Sequence, residues 1–187
     1  MHDDERYDDD AIVREFRGRY GTGRTARSPR ESAARIRKFR SVIYGYYRRH
    51  RRDFPWRRTD DPYRILVSEI MLQQTQVARV AEKFAEFVDA FPTVEALAAA
   101  PLSRVLAVWQ GMGYNRRARY LHELAAAVVK EHGGRVPDDP EALAQLPGIG
   151  RATAASICAF AFNRPVVFIE TNIRAVFIHF FFHENKK

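Results

Sequence analysis

Apolar residues recur at helical spacing along most of the chain, and no run alternates as a strand would, so the pattern predicts an all-α fold. From Glu31 to about Arg49, Ile36, Phe39, Val42 or Ile43, and Tyr46 or Tyr47 return every three or four residues. Phe54-Pro55-Trp56 stops that helix and reads as an apolar plug. Asp60-Asp61-Pro62 supplies a cap with proline at an early helical position, opening a mostly buried helix over 63–76. The stretch from Gln76 to about Phe91 carries Val77, Val80, Phe84, Phe87 and Val88 on one face. Pro92 and Pro101 punctuate two short helices, 94–100 and 102–109. Gly111-Met112-Gly113-Tyr114 is a tight turn. The helix after it begins with Arg116, Arg117 and Arg119, continues through Leu121, Leu124, Ala125, Val128 and Val129, and stops at Gly133-Gly134.

The next stretch, Leu146-Pro147-Gly148-Ile149-Gly150-Arg151-Ala152-Thr153, organises the rest. Two glycines bracket one apolar residue in a turn too tight for most side chains, and an alanine-rich helix follows to about Phe162. This reads as helix, hairpin turn, helix. The second helix offers free N–H groups and the positive end of its dipole to an anion, for which a nucleic-acid phosphate is one candidate. A plain tight turn between two packed helices fits the same residues. Val166–Ile169 is a short buried run, and a last helix runs from Ile173 to about Phe182, with Glu170 or Thr171 as its cap.

Composition narrows the class of partner. The 31 Lys+Arg against 23 Asp+Glu leave +8, with a pI near 9.9. That excess favours a polyanion, either nucleic acid or an acidic membrane surface. Residues 1–30 are expected to be a flexible charged tail, acidic first and then arginine-rich, with a short helix possible at Ala11–Phe16. The single cysteine, Cys158, excludes an internal disulfide and any cluster held by four cysteines, so neither metal nor cofactor is expected. Its apolar setting makes it a buried, inert thiol. The acidic start is unlike a secretion signal, and no uncharged stretch reaches membrane-spanning length. The expectation is a monomeric cytoplasmic protein with no membrane partner, nucleoid-associated if prokaryotic.

Two acids carry candidate chemistry. Glu69 is the lone carboxylate of a helix whose other positions are largely apolar. Burial there would raise its pKa and make it a proton donor or base near neutrality. A carboxylate on the wet side of that helix is the plainer reading. Glu170 stands at a helix start just past the hairpin helix. Gln73-Gln74-Thr75-Gln76 is an uncharged hydrogen-bonding patch that can read base edges, or simply end a helix. Cleaving a glycosidic bond needs an acid for the leaving group and a carboxylate for the cationic sugar. Proximity of the two acids does not follow from the sequence.

Over residues 40–182 the chain resembles the helix-hairpin-helix (HhH-GPD) DNA glycosylases of the endonuclease III superfamily, most of all the adenine-DNA glycosylase branch. The resemblance lies in Phe54–Arg57, Ser68–Val77, Phe91–Thr93, Trp109–Tyr114, Arg117–Arg119, Leu146–Gly150 and Asn172–Arg174, in the family's order and spacing. The run Ser68–Val77 is specific to the adenine branch, whereas the hairpin is shared with many DNA-binding proteins.

The resemblance implies a base-excision enzyme acting on double-stranded DNA. Glu69 would protonate the departing base and assist water. Glu170 stands where the family has an aspartate that stabilises the sugar cation, and Asn172 matches a polar neighbour. Gln73, Gln74 and Thr75 would enter the space around the flipped base. Gly148, Ile149, Gly150 and Arg151, with Arg116 and Arg117, would hold phosphates. Ala152 replaces the Schiff-base lysine of the lyase members, implying a monofunctional enzyme. The family's four-cysteine cluster and its 8-oxoguanine-reading domain are absent from these 187 residues, which predicts a truncated C-terminus.

The expected architecture has two helical lobes with a DNA cleft between them. The hairpin lobe covers about 62–165, and the second covers 31–61 plus 166–187. The expected substrate is adenine opposite guanine or 8-oxoguanine. The alternatives are a mismatch thymine or uracil glycosylase, and a helix-hairpin-helix protein that only binds DNA.

Overall fold

The computed structural model describes residues 29–181, with side chains from residue 33 onward. The predicted tail up to 28, its short helix at Ala11–Phe16 and the end of the chain beyond 181 lie outside the described residues. All regular structure among the described residues is helical. In order, these are α1 (Pro29–His50), a 3₁₀ turn (Pro55–Arg57), α2 (Pro62–Leu72), α3 (Val77–Ala90), α4 (Val94–Ala99), α5 (Leu102–Val108), α6 (Arg116–His132), α7 (Pro140–Gln145), α8 (Arg151–Phe162) and α9 (Thr171–Phe181).

The helix ends follow from local chemistry. Asp61 accepts from the Tyr63 N–H at 2.9 Å ahead of α2, with Pro62 in the first turn. Thr93 caps α4 through the Ala96 N–H, and Asp139 caps α7 through the Ala142 N–H. Asn163 ends α8 in the left-handed conformation.

The described helices divide between two compact units, Asp53–Phe168 and a second made of residues up to Arg52 together with Ile169 onward. The first contains the hairpin and a single core. Leu66, Ile70, Phe84, Phe87, Leu97, Trp109, Leu121, Leu124 and Leu143 are fully enclosed in it. The segment 53–61, expected with the other unit, belongs here because Trp56 is buried, stacked on Phe54 at 4.9 Å and edge-on to Phe84 at 5.5 Å. That is the predicted apolar plug. Cys158 is also enclosed, and burial pushes its thiol pKa up.

In the second unit α1 packs on α9. Phe39 contacts the rings of Phe177, Phe180 and Phe181 at 5.5, 5.2 and 5.0 Å. Arg35 donates to the Phe180 and Phe181 carbonyls at 3.4 and 3.3 Å, a cation at the C-terminal end of α9. The predicted α1–α9 pairing is therefore built on one aromatic cluster and one arginine.

Candidate functional site

In the hairpin unit, α2 packs against α8. Two polar contacts join them, one helical turn apart on each helix. Ser156 Oγ lies 2.6 Å from Glu69 Oε2, and Gln73 Nε2 lies 3.5 Å from Thr153 Oγ1. Glu69 is half-buried, so neither simple reading of it holds. The carboxyl is neither sealed in the core nor on the wet face, but sits at the edge with a buried hydroxyl beside it.

A depression of ≈ 690 Å³ opens at the end of α2. Gln73, Gln74, Tyr114, Arg116, Tyr120, Gly148 and Thr153 line it, together with Asn115 and Arg117. It collects the end of α2, the turn before α6, the first turn of α6, the hairpin and the start of α8. Gln74 and Tyr114 adopt left-handed backbones, with φ of 55° and 48°. Tyr114 is 65% exposed, an aromatic face offered to solvent at the edge of the depression.

Arg117 does not contact solvent as a phosphate ligand would. It is 8% exposed. Its guanidinium donates to the carbonyls of Ile70 and Met71 at 3.1 and 2.8 Å, to that of Gln73, and to those of Met112 and Gly113 at 3.2 and 3.3 Å. It also donates to Thr75 Oγ1 at 2.8 Å. The correction has a plain cause. The last carbonyls of α2 lack helical partners, and a planar five-donor fork placed between them and the 111–114 turn satisfies both. Thr75 is likewise half-buried and held by Arg117, so its hydroxyl supports the loop rather than facing the depression.

Arg116 and Arg119 are exposed on the first turn of α6, with guanidinium carbons 5.8 and 5.5 Å from the Tyr120 ring centre. Positive charge at a helix N-terminus opposes the helix dipole unless an anion is present. Arg119 also pairs with Glu123 at 3.5 Å.

At the hairpin, the two glycines differ. Gly148 has φ +76°, and a Cβ there would lie 2.9 Å from Tyr120 Cβ. Gly150 has an ordinary φ of −91° and open space around it, so the turn itself needs only the first glycine. Ile149 is buried, and its N–H is spent on the Leu146 carbonyl at 3.2 Å. It anchors the hairpin and offers no group to a ligand through its N–H or side chain. Gly150 is the N-cap of α8 and brings no capping side chain, which leaves the first-turn N–H groups, next to exposed Arg151 and Ala152, open to an anion.

Glu170 and Asn172 lie in the other unit. Glu170 Oε1 accepts from the Ile173 N–H at 3.0 Å, and Asn172 Nδ2 donates to Oε2 at 3.3 Å. Glu170 is thus the cap of α9, and its carboxylate is held on both oxygens.

Sequence reasoning missed Ser156, Thr153, Tyr114 and Tyr120. A signal for Ser156 was present: it is the polar exception within Ala154-Ala155-Ser156-Ile157-Cys158, as Glu69 is within α2. Two polar exceptions on two packed apolar helices are expected to meet.

No group of three or more His, Cys, Asp or Glu among the described residues is arranged for a metal. A cluster held by four cysteines does not fit these residues, whose one cysteine is enclosed in the core. No described helix is long and apolar enough to cross a membrane.

Residues 67–187 match the model of the HhH-GPD superfamily of base excision DNA repair proteins. The chain is similar to the adenine DNA glycosylase of Mycobacterium tuberculosis, at 44% identity over 135 residues, covering 72% of this chain and 44% of that protein. It therefore spans less than half the length of that relative. Among solved structures, a thermostable thymine-DNA glycosylase superposes with a TM-score of 0.69 at 34% identity, covering 76% of this chain and 68% of the other. Endonuclease III in a non-covalent complex with DNA shares the fold, with a TM-score of 0.65 at 23% identity over 75% of this chain and 66% of the other. With its family model matched over most of its length and a one-third-identical structure superposed on its helices, the chain belongs to the HhH-GPD superfamily of base excision DNA repair proteins.

Proposed function

We propose that the protein is a DNA glycosylase that hydrolyses the N-glycosidic bond of a mispaired base in duplex DNA, adenine opposite guanine or 8-oxoguanine, and that it works as a monomer without lyase chemistry. The observation that carries this reading is Glu69, a half-buried carboxyl held against Ser156 at the edge of the core, one helical turn before Gln73, which lines the depression. A protein that only bound DNA would have no use for that acid, since a half-buried carboxylate weakens the attraction for phosphate.

In this mechanism Glu69 donates a proton to the leaving base and afterwards takes one from the attacking water. Glu170, held by the Ile173 N–H and Asn172, supplies negative charge for the sugar cation. Its side chain is one methylene longer than the family's aspartate. Gln73 and Gln74 supply amides for a base taken out of the stack, and the exposed Tyr114 ring supplies a stacking face. Arg116, Arg119 and the open N-terminus of α8 supply phosphate contacts.

The identity to an adenine DNA glycosylase supports adenine as the substrate. The superposition on a thymine-DNA glycosylase favours thymine as the second reading. A panel of duplexes carrying A, T or U opposite G or 8-oxoguanine, scored for base release with alkali to break the abasic strand, separates the two. Glu69→Gln should lower base release by about 10²–10⁴-fold while DNA binding persists. Turnover at the wild-type rate in that variant would remove Glu69 from the mechanism.

A further inference from the structure

The contact between Glu69 and Ser156 obeys a strict proton count. Ser156 Oγ lies 2.6 Å from Glu69 Oε2 and 2.9 Å from the Thr153 carbonyl oxygen. A serine has one hydroxyl proton for these two acceptors. Ser156 is 5% exposed, so its hydrogen bonds are made within the protein.

Each protonation state of Glu69 is compatible with the Ser156 contact. With the carboxylate ionised, the hydroxyl donates to Oε2, and 2.6 Å is within the range of a hydroxyl–carboxylate bond. With the acid proton on Oε1, Oε2 still accepts from the Ser156 hydroxyl, and the acid proton is free to pass to a reacting group. The Thr153 carbonyl belongs to α8 and keeps its helical role in either state.

We propose that Ser156 is a positioning residue that holds the Glu69 carboxyl in one place through both protonation states of the reaction. The proposal rests on the glycosylase reading above. In that reaction the Glu69 proton passes to a nitrogen of the leaving base. The bond between that base and C1′ breaks, its electron pair leaving with the base. The serine hydroxyl keeps its bond to Oε2 of the new carboxylate. Water forms a bond to C1′ and returns one of its protons to Glu69. Serine neither gains nor loses a proton.

The test is single-turnover base release with saturating protein, on a duplex that the wild type cleaves, with the Kd for that duplex measured separately. Ser156→Ala should lower the rate constant by about 10- to 100-fold with Kd unchanged. Ser156→Thr, which restores a hydroxyl, should recover most of the loss. In a Glu69→Gln background, Ser156→Ala should have no further effect, because the serine acts only through the carboxyl. An alanine variant within twofold of wild type would overturn the proposal, as would an undiminished loss in the Glu69→Gln background. The second readout needs no turnover. The ¹³Cδ resonance of Glu69, identified by its disappearance in Glu69→Gln, should move in Ser156→Ala and return towards its original position in Ser156→Thr. If the wild type releases no base from any duplex, it is the glycosylase reading that fails. The pairing is then decided by the resonance alone, and a resonance unmoved by Ser156→Ala overturns it.

Discussion

Arg117 closes the end of α2, with its guanidinium 2.8 Å from the Met71 carbonyl and in reach of four further carbonyls. A residue that resembles a DNA contact in the sequence is thus the internal clamp of the loop carrying Gln73 and Gln74. Arg117→Ala should destabilise the protein by about 3 kcal/mol, since buried carbonyls lose charged donors. Arg117→Lys should recover less than half of that, because an ammonium cannot fork between two loops. Chemical denaturation of the three proteins checks this. An alanine variant of wild-type stability would return Arg117 to the surface.

The hairpin glycines should respond differently to substitution. Gly148→Ala combines a left-handed backbone with a Cβ 2.9 Å from that of Tyr120, and should cost about 2–4 kcal/mol. Gly150→Asp should leave stability unchanged or raise it by a few tenths of a kcal/mol, because the extended backbone there suits a capping carboxylate. The same change should weaken binding to every duplex alike, since the carboxylate occupies the place proposed for a phosphate. Thermal melts and binding isotherms read the two effects separately. Unaltered DNA affinity in Gly150→Asp would take the hairpin out of the interface.

Arg116 and Arg119 give a salt signature. If each meets one phosphate, the logarithm of the binding constant should fall less steeply with the logarithm of salt concentration, by about 0.9 for each arginine replaced by alanine. Arg117→Ala should leave that slope alone. Equal slopes for all variants would place the phosphates elsewhere.

Ala152 tests the absence of lyase chemistry. It is exposed on the first turn of α8, where the resemblance to lyase relatives places an amine. The neighbouring Arg151 cannot lose its proton to become a nucleophile. The wild type should leave abasic sites intact, and borohydride should trap little covalent complex. Ala152→Lys should produce trapping and strand nicking. Strong trapping by the unaltered protein would mean that another lysine serves.

What was legible in the sequence was whatever local rules decide. Asp60-Asp61-Pro62 announces a helix start, and α2 begins there. Periodic apolar residues mark α3 and α6, and their buried faces are the ones the spacing selects, save that Val129 is exposed. Glu69 stood out because it was alone among apolar neighbours. What could not be read was direction: whether an arginine three residues past a Gly-Tyr turn points to solvent or back into the protein. Arg116 and Arg117 are adjacent in sequence, and only the tertiary position of the end of α2 turns one inward and leaves the other out. Ser156 was hidden for a related reason. Its partner lies 87 positions away, and the pairing exists only once α2 and α8 are in contact.

The left-handed backbones of Gln74 and Tyr114 bear on any attempt to make this protein more heat-resistant. Each holds a side chain in a conformation that costs about 1 kcal/mol and that glycine adopts freely. A laboratory selection for thermal tolerance should therefore converge on glycine at these two positions. The winners would survive heating and yet have lost an amide and an aromatic ring from the rim of the depression. Such a selection, run with no DNA present, would locate the working surface of the molecule by destroying it.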